Sequence, residues 1–124
     1  KVVLNEKPLY SVVDGNFNVA YTATVSLPAD AIVIEQGVVI GGIDYNNSPA
    51  SLTLNSYNIK GSAKNLERVN FMITLIGVKA GKTRNARAFV TYTLNGETVT
   101  AYSESVVRIV ATNDGIDYSV HSAN

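Results

Sequence analysis

The stretch ARAFVTYTLNGETVTAYSESVVRIV, residues 86 to 110, decides the fold. Ala86, Ala88, Val90, Tyr92 and Leu94 alternate with Arg87, Phe89, Thr91 and Thr93, which is the period of a strand with one buried face. Asn95-Gly96 follows at once, and a second alternating run occupies Thr98 to Val110. Asn-Gly between two such runs signals a tight hairpin, because both central residues of the favoured turn need positive φ.

The same period extends in both directions. Phe17, Val19, Tyr21, Ala23, Val25 and Leu27 fall on one face of a run whose other face carries Asn18, Ala20, Thr22, Thr24 and Ser26. Leu27-Pro28 stops that run, since proline cannot donate to a ladder. Asp14-Gly15 supplies a turn leading into it from Val2–Leu4 and Leu9–Val13. Ile32 to Ile40 is rich in β-branched residues, with Gly37 marking a bulge or a close backbone approach and Gly41-Gly42 an end. Ser51–Leu54 and Tyr57–Lys60 read as short strands, and Ser62–Arg68 as the one place for a helical turn. Val69, Phe71, Ile73 and Leu75 resume the alternation.

These runs predict an all-β antiparallel β-sandwich of seven to eight strands, immunoglobulin-like in outline. The sandwich is expected over residues 1–111. Residues 112–124 are expected to form a C-terminal tail, in which Asp114-Gly115 turns the chain and Ile116, Tyr118 and Val120 offer one extra edge strand. A chain of 124 residues suits one domain and is long enough to bury a core without staples. It contains no cysteine, which excludes disulfides, thiolate metal sites and cysteine nucleophiles.

Two blocks resemble a known group. Residues 77 to 92, GVKAGKTRNARAFVTY, resemble the penultimate strand and lead-in of fibronectin-type-III-like domains in bacterial surface proteins and phage structural proteins. There a Leu-x-Pro-Gly-Thr turn precedes an Ala-Arg-Ala-Tyr-Val strand, and the hairpin partner ends in a Tyr-Ser pair, matched by Tyr102-Ser103. Glu35-Gln36-Gly37-Val38-Val39 is similar to the third strand of the same domains. Arg84 stands where that group keeps a tyrosine, and Ala80 where it keeps a proline. The resemblance implies spacer, adhesive or assembly roles and brings no catalytic residues.

Charged residues make up 16% of the chain, against about 25% in an average soluble domain, and Thr, Ser, Asn and seven Tyr take their place. Such a surface reads as extracellular or assembled, and the resemblance implies a bacterial cell surface or a phage virion. The net charge is zero, so the positive footprint of a nucleic-acid binder is missing. The basic run Lys79, Lys82, Arg84 and Arg87 is expected to be a solvated turn and strand edge rather than a polyanion site. No apolar run reaches membrane-spanning length, so direct membrane insertion is not expected. The first residue is Lys1 rather than methionine, which fits a processed product or a piece of something longer.

No catalytic residue is expected. His121 is the single histidine and lies in a tail expected to be exposed and frayed, without the partner that acid–base work requires. A glycan hydrolase using Glu97 or Glu104 would need a second carboxylate roughly 5–9.5 Å away. Asp14, Asp30, Asp44, Asp114 and Asp117 occupy turn-like positions. Their side chains suit local backbone bonding there better than a calcium shell built around Asn113, Asp114 and Asp117. The sequon Asn46-Asn47-Ser48 is read as accidental. No cofactor or metal is expected. The expected partners are neighbouring domains or subunits of an assembly. The alternative is a carbohydrate-binding module, with Tyr45 and Tyr57 in exposed loops as the candidate ligand-binding residues, because tyrosine stacks well on sugar rings.

Overall fold

In the computed structural model, which describes residues 1–67 and 69–124, ten strands form two antiparallel sheets. The strands are β1 (Val2–Leu4), β2 (Leu9–Val13), β3 (Asn16–Val25), β4 (Ile32–Gly41), β5 (Ile59–Ser62), β6 (Asn70–Val78), β7 (Thr83–Leu94), β8 (Glu97–Tyr102), β9 (Ser105–Thr112) and β10 (Gly115–Ser122). The smaller sheet places β3 between β6 on one side and β1 with β2 on the other. The larger runs β10, β9, β7, β4, β5, with β8 also on β7. The result is an immunoglobulin-like sandwich of the fibronectin-type-III kind.

Two pairs of strands each run as one interrupted strand along a single neighbour. β1 and β2 lie end to end along β3, interrupted around Pro8. β8 and β9 lie end to end along β7, interrupted at Ser103-Glu104. Counted by position, the ten strands therefore occupy eight places. At the second break Ser103 Oγ accepts from the Ala88 N–H (3.1 Å) and donates to the Ser105 carbonyl (2.8 Å), so a side chain fills the gap that the register step opens. The sequence shows one unbroken alternation there and hides the step.

Both hairpin turns read from sequence are present. Asp14 and Gly15 have φ of 52° and 80°, and Asn95 and Gly96 have 53° and 80°, the conformation that two-residue hairpins favour. Between the sheets lie Phe17, Val19, Tyr21, Ala23 and Val25 of β3, Val38 and Ile40 of β4, Phe71 and Leu75 of β6, and Ala86, Ala88 and Val90 of β7. Each large apolar side chain fully buried there contributes about 1.5–3 kcal/mol of transfer free energy. Ile73 is half-buried against this core, and Val69 is exposed and precedes β6.

Several sequence expectations are corrected. Ser51–Leu54 is not a strand. Pro49–Ser51 forms a 3-10 turn, and Thr53 and Ser56 make an isolated bridge. The next strand begins at Ile59 rather than Tyr57. No helix forms in 62–67, and Arg68 lies outside the described residues. Gly37 marks a close approach, where a Cβ would meet the Gly61 carbonyl of β5, while the irregularity in β4 falls between Val33 and Glu35. Residues 115–122 are a full edge strand, paired with β9 at every position, so His121 is held in a sheet instead of frayed.

Candidate functional site

The sandwich has two outer faces, and they differ in kind. On the larger sheet the register puts Val39 of β4 opposite Arg87, and Gly37 opposite Phe89. These side chains point away from the main core, yet Asn85, Arg87 and Phe89 are all buried. The segment from Gly42 to Asn58 folds back over them. Val39, Tyr45, Leu52, Phe89 and Val106 make a second, smaller core, with Leu54, Tyr102 and Ala123 at its margin.

Polar side chains tie that cover down. The Arg87 guanidinium donates to the carbonyls of Ser103 (2.9 Å), Ala50 (3.3 Å) and Leu52 (3.2 Å), and it stacks 4.8 Å from the Tyr102 ring centre. Burial lowers the Arg87 pKa, opposed by Tyr102, although Arg stays charged at any working pH. Asn85 Nδ2 donates to Gly42 O (2.9 Å) and Asn46 Oδ1 (3.0 Å), while Arg108 donates to Asn85 Oδ1 (3.0 Å) and Asn46 O (2.8 Å). The Tyr102 hydroxyl accepts from the Leu54 N–H at 2.9 Å. The expectation that Arg87 belongs to a solvated basic run is thus corrected: its charge is spent on backbone carbonyls.

Tyr45 is corrected in the same way. Its ring is buried against Gly41, where a Cβ would collide with it, and its hydroxyl shares a 2.9 Å hydrogen bond with Ser56 Oγ. No ring face is left open for a sugar. Tyr57 is 39% exposed, so the two tyrosines do not form a common platform. Asn46, the sequon residue, has its amide oxygen engaged by Asn85.

The smaller sheet is the opposite case. Its outward positions are Val3 of β1, Leu9, Ser11 and Val13 of β2, Asn18, Ala20, Thr22 and Thr24 of β3, and Asn70, Met72 and Thr74 of β6. None is charged. Among the described residues no segment folds across them as 42–58 does on the other sheet: Leu9 is 65%, Met72 60% and the neighbouring Ile76 76% exposed. Uncharged and mixed, with exposed Leu9, Met72 and Ile76 flanking a central strand of Asn, Ala and Thr, this face can be covered by a neighbour without burying an ion.

The remaining candidates stay apart. Glu97 begins β8 and Glu104 lies beyond its end in the break before β9, about 20 Å away at strand rise, so neither serves as the other's second carboxylate. Asp14 lies in its hairpin turn, and Asp117 lies on β10 beyond the Asn113-Asp114 turn. Among the described residues no group of three or more His, Asp or Glu could hold a metal ion, and no helix is long and apolar enough to cross a membrane.

Buried tyrosine provides one further anomaly. The Tyr21 hydroxyl is buried with no hydrogen-bond partner among the described residues. Burial pushes its pKa above the ordinary phenol range, against the lowering effect of the Arg84 guanidinium. Arg84 itself, at the position where the resembled domains keep a tyrosine, turns to the Thr83 carbonyl at 2.8 Å.

Comparison with protein-family models, curated proteins and solved structures gives no match. What stands is an immunoglobulin-like sandwich of the fibronectin-type-III kind, with one outer face sealed by its own chain and the other bare.

Proposed function

We propose that this domain is a non-catalytic structural module of an extracellular assembly, a bacterial surface protein or a phage virion, and that it works through protein–protein contacts. The bare face of the smaller sheet carries this reading. It combines exposed Leu9, Met72 and Ile76 with a complete lack of charge at the outward positions, so a neighbouring subunit can cover it without desolvating an ion. The low charge content and hydroxyl-rich composition support an assembled, extracellular setting. The glycan alternative is weaker, because only Tyr57 of its two candidate residues presents a ring to solvent.

The absence of native cysteine gives a direct test. In an Ile76→Cys variant, the thiol should react freely with maleimide in the isolated domain and at least tenfold more slowly in the intact parent assembly. Equal rates in the two settings would refute the contact role of this face.

A further inference from the structure

A sandwich has four lateral edges, and they are unequally protected. The β1–β2 edge is broken around Asn5–Pro8, with a proline and the charges of Glu6 and Lys7. β5 spans four residues and carries Lys60. β6 is irregular, with its register against β3 shifting towards Ile76-Gly77. Short length, lysine, proline and bulges are the usual means of blocking strand addition. The fourth edge is shared by β8, a six-residue strand along β7 that begins with Glu97, and by β10 along β9, which is longer and has none of them. The eight residues of β10 pair with β9 in one unbroken register, and its other side is unpaired, so half of its backbone N–H and C=O groups face outward.

We propose that β10 pairs antiparallel with β10 of a second copy of this chain, about a two-fold axis through Ser119. The side-chain pattern of the strand selects this occupant and this register, by setting a carboxylate against an imidazole that burial and the neighbouring Arg108 keep neutral near pH 7, a hydrogen-bonding match. Asp117, Ser119 and His121 share one face, opposite Val110, Arg108 and Val106 of β9. A two-fold axis at Ser119 places each Asp117 opposite the partner's His121, twice over. The His121 ring already bonds Ser119 Oγ through Nε2 at 2.8 Å, which orients it on that face. On the other face the same axis sets each Tyr118 beside the partner's Val120, an aromatic–aliphatic cross-strand pair. Tyr118 and Val120 are 46% and 38% exposed in the single chain, although they lie opposite the buried Ile109 and Val107. A register one residue to either side loses the Asp–His match and turns each side chain toward the wrong face.

The pairing names a partner for the contact role, but through a different surface, so the two ideas fail separately. Sedimentation equilibrium of the full chain should show a dimer, and hydrogen exchange should show concentration-dependent protection of alternate amides within 116–122. His121→Asp sets carboxylate against carboxylate at two places and should weaken the dimer about tenfold. The double swap Asp117→His with His121→Asp restores opposite partners and should return the dissociation constant to within about threefold of the original. Unchanged melting temperatures would show that the fold is intact, and the exchange data on the unaltered chain decide the matter if a variant unfolds. A chain that stays monomeric at about 1 mM overturns the pairing. So does a double swap no tighter than the single variant, or a dimer protected on Leu9, Met72 and Ile76 but not on β10. The last result would leave the proposed role of the smaller sheet standing.

Discussion

The two outer faces of the sandwich have exchanged their expected properties. The face of the larger sheet carries two arginines and an asparagine, and it is closed. The face of the smaller sheet carries valine, leucine, methionine and isoleucine among serine, threonine and asparagine, with no charge, and it is open. Hydrophobicity alone would assign them the other way. Covering a sheet with a loop buries the loop's own carbonyls, and these need donors. Arg87 and Arg108 supply them, so charge on that face is what permits it to be sealed. The outward positions of the other face carry no arginine, and among the described residues no segment returns across it.

Removing the donor should therefore give the largest effect. Arg87→Ala strips three carbonyls of their partner and removes the stem that packs beneath the cover, so unfolding free energy should fall by about 3–5 kcal/mol. A urea titration reads it, with a loss under 1 kcal/mol refuting the latch. A smaller effect of opposite sign is expected in the main core. Tyr21→Phe deletes a buried hydroxyl that has no partner among the described residues, and should stabilise the domain by about 1 kcal/mol. Destabilisation of that size would mean that the hydroxyl is satisfied by a water. The smallest change belongs to the bare face: Ile76→Thr should alter stability by about 0.5 kcal/mol or less in the isolated domain. A larger loss would show that this face is packed by the domain itself.

What could be read from sequence follows the same division. β3, β7 and both two-residue turns were legible because one face of each strand is buried by the opposite sheet, and period two reports that directly. The second core was not legible. In β7 the alternation assigns Arg87 and Phe89 to solvent, and only the return of a distant loop buries them. Tyr45 lies among Asp44, Asn46 and Asn47, a composition that reads as exposed loop. Gly41, four residues earlier, held the clue, because it leaves room for the ring. The break at Ser103 was invisible for a different reason. A two-residue step preserves the parity of the alternation, so the pattern passes through it unchanged.

The additional strand β10 also decides how the domain meets a mechanical load. It returns the chain along β9, and the Ala123 N–H reaches the Glu104 carbonyl. At the other terminus, Lys1 to Leu4 border the same segment, Ala101 to Ser105. Residues 1 and 123 therefore lie on the same side of the domain, beside the break between β8 and β9. Tension between them would act on the final pair of each terminal ladder, Val2 with Val25 and Ser122 with Ser105, and open the hydrogen bonds one after another like a zipper. Shear, in which a whole ladder resists together, needs the ends at opposite poles. Such a domain yields readily when pulled by its ends and holds its shape best when gripped by its faces.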